Sequence, residues 1–96
     1  MPSCVILGNY TEKALSDIKT AAEIGEGAKA AIAAMGGKVI FSAITFGQYD
    51  FIVVVEAPGD EVMLEVAFRA GASGMFRTQV VKAFPDAEVD PIMAKL

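Results

Sequence analysis

The sequence predicts an α+β domain in which helices cover one face of a four-stranded antiparallel sheet. Three observations predict it. Two β-branched and aromatic runs, residues 39–46 and 51–56, flank a short turn that contains Gly47, which is typical of a β-hairpin. Apolar residues recur at helical spacing on both sides of this hairpin along the chain. Short apolar runs near the beginning and the end supply two further strands.

The first part of the chain predicts one strand and a helical region. Residues 4–8 are a short apolar run and form strand one. The helical spacing that follows contains Gly25 and Gly27, and a glycine in mid-helix costs about 0.8–1 kcal/mol relative to alanine. We therefore expect two helical pieces, at roughly residues 12–20 and 22–35, with a break or kink between them.

The hairpin supplies strands two and three, and its second arm is the central strand. Residues 51–56 are apolar on both sides of the pleat, which is typical of a strand that is covered on both faces. The predicted helices cover only one face of the sheet. We therefore expect another subunit on the opposite face.

The remaining part predicts a helix, a strand and a short tail. The helix begins near Asp60, after a Pro-Gly pair, and Gly71 and Gly74 end it. Strand four covers residues 75–84. Asp90 marks the start of a last short helical turn, and Pro91 argues against a long C-terminal helix. The order β-α-β-β-α-β is the ferredoxin-like arrangement.

The composition favours one domain, residues 1–96, that associates with copies of itself. Hydrophobic residues make up 54% of the chain, whereas typical usage is about 45–50%. A small domain has too little interior for this surplus, so we expect a homodimer or a larger closed oligomer. The net charge of −4 and the lack of a basic stripe argue against a nucleic-acid partner. No apolar run is long enough for a bilayer and no signal peptide is recognised, so we expect a cytoplasmic protein with no membrane partner.

The sequence predicts neither a metal site nor a bound cofactor. It contains no histidine and a single cysteine, Cys4, which makes zinc and iron sites improbable. Cys4 has no histidine to activate it, so we interpret it as a small buried hydrophobic residue. Residues 71–74 (GASG) come between a helix and a strand, which is the wrong order for a phosphate-binding loop.

The alternation of side chains along strands three and four predicts a polar set on the sheet face opposite the helices. Its members are Asp50, Glu56, Arg77, Gln79 and Ser42. Charged side chains on a covered face must be paired or neutral, so we expect Arg77 to be coupled to Asp50 or Glu56. The set forms either a polar pocket inside a barrel or cross-subunit ion pairs and hydrogen bonds. The second interpretation is favoured, and it makes Ser42, Glu56 and Gln79 interface candidates.

The turn offers a phenol and a carboxylate, Tyr49 and Asp50, as candidate ligand-binding residues. They form either a proton-transfer pair or a structural turn, in which Asp50 accepts backbone amides and Tyr49 packs with its hydroxyl outward. The turn interpretation is favoured. Lys19, at the end of the first predicted helical piece, is a further candidate that would pair with Asp50 or with an anionic ligand. Arg77 and Thr78 complete the candidate set.

An ordered set of short motifs runs along nearly the whole chain. Its members are residues 5–8 (VILG), 36–39 (GGKV), 47–51 (GQYDF), 56–58 (EAP), 71–74 (GASG), 77–78 (RT) and 83–84 (AF). With this set the sequence resembles the GYD-domain family, whose naming motif matches residues 47–50. The resemblance implies an assembly of the dimeric α/β-barrel type, in which two ferredoxin-like subunits face their sheets together. It implies no assigned activity.

Two functional hypotheses remain open. The first is a homo-oligomeric module that binds a small molecule or acts as a scaffold without catalysis, and it is preferred because the sequence supplies no activated nucleophile. The alternative is a cofactor-free isomerase, lyase or monooxygenase with a cleft near Tyr49, Asp50, Lys19 and Arg77. A closed, dry space between sheet and helices would favour scaffolding. A cleft lined by Tyr49 and Lys19 would favour a ligand there.

Overall fold

Four antiparallel strands form a single sheet, and two long helices pack on one of its faces. The computed structural model describes all of residues 1–96. In chain order the elements are β1 (Ser3–Tyr10), α1 (Glu12–Ser16), α2 (Ile18–Ala34), β2 (Lys38–Ile44), β3 (Phe51–Glu56), α3 (Asp60–Ala72), β4 (Phe76–Ala83) and α4 (Asp86–Met93). The strands are ordered β2-β3-β1-β4 across the sheet, and every neighbouring pair is antiparallel. This is the α+β, ferredoxin-like fold that the sequence predicts, with β3 in a central position.

The core lies between the sheet and helices α2 and α3. Val53 and Val55 of β3 are buried against Ile32 of α2 and Val66 of α3. Complete burial of such a side chain contributes about 1.5–3 kcal/mol, so this layer is the main source of stability. The sequence analysis places Glu56 on the face opposite the helices, which by alternation turns Val53 and Val55 toward them, and this orientation of β3 is confirmed.

The first helical region breaks at Asp17, which corrects the predicted break near two glycines. Asp17 ends α1 with a φ of −148° and begins α2 by accepting the Thr20 amide hydrogen on its carboxylate, at 3.4 Å. Gly25 and Gly27 both lie inside the uninterrupted helix α2. A capping aspartate redirects the chain, whereas each glycine costs only about 0.8–1 kcal/mol, which helix packing offsets.

A β-bulge at Ile40 changes which side chains of β2 face the helices. Val39 is paired with Val55, whereas Phe41 is paired with Val54, so Ile40 is the extra residue. The extra residue reverses the alternation beyond it. Ser42 therefore lies opposite Val53, on the helix side, and its predicted place on the opposite face is wrong.

The tail forms a helix that projects from the rest of the molecule. Helix α4 begins at Asp86, directly after Pro85, and continues through Pro91, so the predicted start at Asp90 is wrong. Pro91 lies near the end of this short helix, where it removes only a single backbone hydrogen bond. No residue of α4 is buried. The radius of gyration is 14.5 Å, larger than the value of about 12.5 Å typical of this length. None of the helices has both the length and the apolar character needed to cross a bilayer.

Candidate functional site

A cavity of about 170 Å³ lies between the helix side of the sheet and helices α2 and α3. Most of its wall is apolar. Ile6, Val53 and Val80 contribute from the strands, and Ile32 and Val66 contribute from the helices. The cavity coincides with the space between sheet and helices that the sequence analysis used to separate its two hypotheses.

Three aromatic rings form one end of this cavity. The ring centroids of Tyr10 and Phe51 are 5.4 Å apart, those of Tyr10 and Phe76 are 6.1 Å apart, and Phe51 meets Phe76 edge-on at 5.6 Å. Gly8 makes this cluster possible, because a Cβ at that position would lie 2.0 Å from the Phe51 ring. The Phe51 ring therefore lies directly over the backbone of β1.

Small residues on one face of α2 leave the cavity open. Ala21, Ala22, Gly25 and Ala28 all line it, and their spacing places them along one side of the helix. A Cβ at Gly25 would come only into ordinary contact with Phe76, at 3.8 Å. The volume therefore follows from short side chains on α2 rather than from a gap in the secondary structure.

The polar groups of the cavity are hydroxyls and one ion pair. Tyr10, Ser42 and Thr78, which line the cavity, are its hydroxyl-bearing residues. None of these hydroxyls is a buried group that lacks a hydrogen-bond partner. Lys29 and Glu26 also border the cavity, and they neutralise each other through an ion pair at 3.1 Å. The site therefore offers hydrogen bonds but no net charge.

The Asp50 carboxylate acts as a clamp between the hairpin and β1. Its Oδ2 accepts the Tyr10 backbone N–H at 2.9 Å, and the Asp50 N–H donates to the Gly8 carbonyl at 2.8 Å. The Thr45 hydroxyl donates to the Tyr49 carbonyl at 2.6 Å and closes the turn. These bonds support the structural interpretation of the turn.

The other predicted polar residues lie away from the cavity. The Tyr49 hydroxyl donates to Oε1 of Gln79, at 2.9 Å, on the sheet face opposite the helices. Arg77 is exposed and takes part in none of the three ion pairs in the chain. Its predicted pairing with Asp50 or Glu56 therefore does not form within one subunit.

Lys19 occupies a different position from the predicted one. It is exposed in the first turn of α2, since the preceding helical piece ends at Ser16. Of the five ligand-binding candidates only Thr78 lines the cavity, and Ser42 joins it from the interface candidates. Tyr10 and the small residues of α2 were missed by the sequence analysis. The helical spacing of Ala21, Gly25 and Ala28 was the signal that could have indicated them.

The arrangement of the hairpin, the clamp and the sheet agrees with a family comparison. A family model described as the GYD domain matches residues 4–93. The chain belongs to the GYD-domain family. The crystal structure of TTHA0845 from Thermus thermophilus is similar to this GYD domain, with a TM-score of 0.55 over 88% of this chain and 94% of that chain. The identity is 21%, so this likeness concerns the fold alone. No curated protein matches the sequence.

The GYD domain leaves the second face of its sheet uncovered. This open face carries apolar side chains from all the strands, as the strand register shows: Val5, Leu7, Phe41, Ile52, Val54 and Val81. Arg77 and Gln79 share the face, at the positions opposite Asn9 and Leu7. Phe41 is 55% exposed. The face thus combines a broad apolar surface with a cation that has no partner in the same chain.

Cys4 of the GYD domain is a buried thiol and not a nucleophile. Burial raises its pKa above the ordinary value, the nearby Asp60 carboxylate raises it further, and Lys82 partly offsets both. Lys82 and Asp60 are themselves an ion pair at 3.1 Å. The thiolate is the reactive form of cysteine, so this environment keeps the side chain inert at neutral pH.

Proposed function

We propose that this GYD-domain protein is a homo-oligomeric module that binds a small molecule between sheet and helices without transforming it. The observation that carries the proposal is the apolar cavity with three hydroxyl-bearing residues in its wall. An apolar wall with a few polar groups is the usual composition of a ligand site. The volume of about 170 Å³ is small for such a site, because typical pockets measure about 300–1,000 Å³. It is nevertheless close to the roughly 150 Å³ of an engineered cavity that binds benzene.

The absence of catalysis in this proposal rests on how the candidate groups are engaged. Asp50 accepts a backbone hydrogen bond, and Tyr49 faces away from the cavity. Cys4 is held as a neutral thiol. A general base needs access to the proton that it removes, and none of these groups has that access from the cavity. The enzyme hypothesis would need one cleft lined by Tyr49, Asp50, Lys19 and Arg77. None of these four residues lines the cavity within one chain.

The homo-oligomer in this proposal is formed by two open faces in contact. Leu7, Ile52 and Val54 would be buried, and burial of apolar area is the main driving force for such association. Arg77 would then meet an acidic group of the second copy, such as Glu56. The proposal places the assembly in the cytoplasm, where a single reduced cysteine is the ordinary state.

A fragment screen with one cavity-filling variant tests the binding function. The panel contains neutral, anionic and cationic fragments, observed by NMR with the purified wild-type protein. Ala28→Leu fills the cavity, whereas Ala30→Leu makes the same change at an exposed position of α2 that does not line it. We expect at least one fragment to bind the wild type and Ala30→Leu but not Ala28→Leu. Tyr49→Phe should retain this fragment.

Two results would contradict the proposal. If every fragment that binds the wild type also binds Ala28→Leu equally well, the cavity is not the site. If Tyr49→Phe stays folded but loses the fragment, the phenol takes part in the site, and the enzyme hypothesis replaces the binding hypothesis. Circular dichroism of each variant establishes that it is folded before binding is compared.

A further inference from the structure

We infer that the cavity accepts a neutral compound with a single six-membered ring and one hydrogen-bonding substituent, which it directs to Thr78. This inference rests on the proposed function and specifies the ligand class of the same site. It follows from four properties of the cavity: its size, its aromatic end, its lack of net charge and the position of its hydroxyls.

Size limits the ligand to one ring. The cavity measures about 170 Å³, and a cavity of roughly 150 Å³ holds one benzene molecule. The difference leaves room for a small substituent but not for a second fused ring. A larger ligand would have to extend out of the cavity through its mouth, where it is less completely buried.

The aromatic end favours a flat ring over a flexible chain. Tyr10 and Phe76 are inclined to each other by 49°, and Phe51 and Phe76 by 81°. Such a cluster presents both ring faces and ring edges. Aromatic pairs gain about 0.5–1.5 kcal/mol beyond their buried area when they stack with an offset or meet edge to face. An alkyl chain gains no such contribution and loses more rotational freedom on binding.

The lack of net charge disfavours an ionised ligand inside the cavity. The only ionic groups in the wall are Glu26 and Lys29, which form an exposed ion pair with each other. A carboxylate or ammonium group inside the cavity would therefore lose its hydration without gaining a counter-ion. An unpaired charge in an apolar environment is strongly disfavoured.

The hydroxyls orient the ring within the cavity. Thr78 and Tyr10 are half-buried and lie on the neighbouring strands β4 and β1, where Thr78 is paired with Gly8. Ser42 is exposed and lies on β2, at the far side of the sheet. A substituent that enters with the ring therefore meets the half-buried Thr78, whereas the exposed Ser42 belongs to the mouth.

Four probes test the substituent, the charge and the size of the ligand: phenol, toluene, benzoate and 2-naphthol. Each is titrated into the full-length protein, and binding is followed by NMR. We expect phenol to bind the wild type and Ala30→Leu, and not Ala28→Leu. Thr78→Val should weaken the binding of phenol by about fivefold to tenfold, which corresponds to the loss of one hydrogen bond. It should leave the affinity for toluene unchanged. Unchanged toluene binding also shows that the variant retains its cavity. Benzoate and 2-naphthol should not bind.

The outcomes distinguish this inference from the proposed function. If benzoate or 2-naphthol binds as tightly as phenol in a manner that depends on Ala28, the function stands and the ligand class is wrong. If Thr78→Val leaves the affinity for phenol unchanged, the role assigned to Thr78 is wrong. If neither the probes nor the fragments of the wider screen are sensitive to Ala28→Leu, both the class and the function are wrong.

Discussion

The Asp50 carboxylate holds the hairpin turn against the end of β1 by a single hydrogen bond to the Tyr10 amide. We expect Asp50→Ala to lower the free energy of unfolding by about 1–2 kcal/mol, because a partly buried amide loses its acceptor. Asp50→Asn should cost less, since the side-chain amide still presents an oxygen. Urea denaturation followed by circular dichroism measures both. Glu23→Ala, on the exposed side of α2, is the control and should change little. If Asp50→Asn and Asp50→Ala lose the same free energy of unfolding, the effect comes from the charge of the carboxylate instead.

The Cys4 thiol makes stability depend on pH above neutrality. Its pKa in the folded protein is raised above the ordinary value of 9.0, chiefly by burial. The unfolded thiol therefore ionises at lower pH than the folded one. The stabilisation is complete below pH 9.0 and is lost as the pH rises toward the higher folded pKa. We expect the wild type to lose more stability than Cys4→Ala over this range, measured by urea denaturation. Parallel pH profiles for the two proteins would contradict the expectation.

At the scale of elements, two glycines with opposite roles give a matched pair of predictions. Gly27→Ala should stabilise the protein by about 0.5–1 kcal/mol, because Gly27 lies inside α2 and an added Cβ meets nothing within 4 Å. Gly8→Ala should destabilise it by roughly 1–3 kcal/mol, because the new methyl group would overlap the Phe51 ring. Thermal unfolding measures both. If Phe51→Leu does not relieve the loss caused by Gly8→Ala, the overlap is not its cause.

The sequence is informative about elements where local patterns determine them. Residues 51–56 form a continuous apolar run that ends at Glu56, so both the position of β3 and its buried side, with Val53 and Val55, could be predicted. The helix break was misplaced because the cost of Gly25 is local and small, whereas the redirection at Asp17 depends on a cap. The side of Ser42 was missed because one extra residue reverses the alternation, and a bulge has no reliable local signature here.

The site was predictable only in part, because the residues that form the cavity are distant from one another along the chain. Thr78 was selected among the candidates, and it does line the cavity. Tyr49 and Lys19 were selected by their chemistry, but the Tyr49 hydroxyl bonds to Gln79 on the other sheet face and Lys19 is exposed in the first turn of α2. A void between α2 and the sheet depends on the sizes of residues that are distant in sequence. Such a void has no local pattern.

At the scale of the whole molecule, the open sheet face determines the expected assembly. We expect the wild type to sediment as a dimer or larger oligomer at micromolar concentration. Val54→Glu should dissociate it, because Val54 lies at the centre of the open face. Leu64→Glu, a change at an exposed residue of the helix layer, should leave it intact. A stable wild-type monomer would contradict the homo-oligomer. Dissociation by Leu64→Glu alone would place the interface on the helices.

The bulge at Ile40 also affects how the protein behaves when it is crowded with other chains. β2 lies at the edge of the sheet, and Phe41 and Ile44 expose much of their apolar surface there. A straight edge of this kind is a template for a strand from any neighbouring chain, and a bulge interrupts the template. Deletion of Ile40 would leave every other side chain on its present face while straightening the edge. We therefore expect the deletion of Ile40 to lower the solubility of the protein before it lowers its stability.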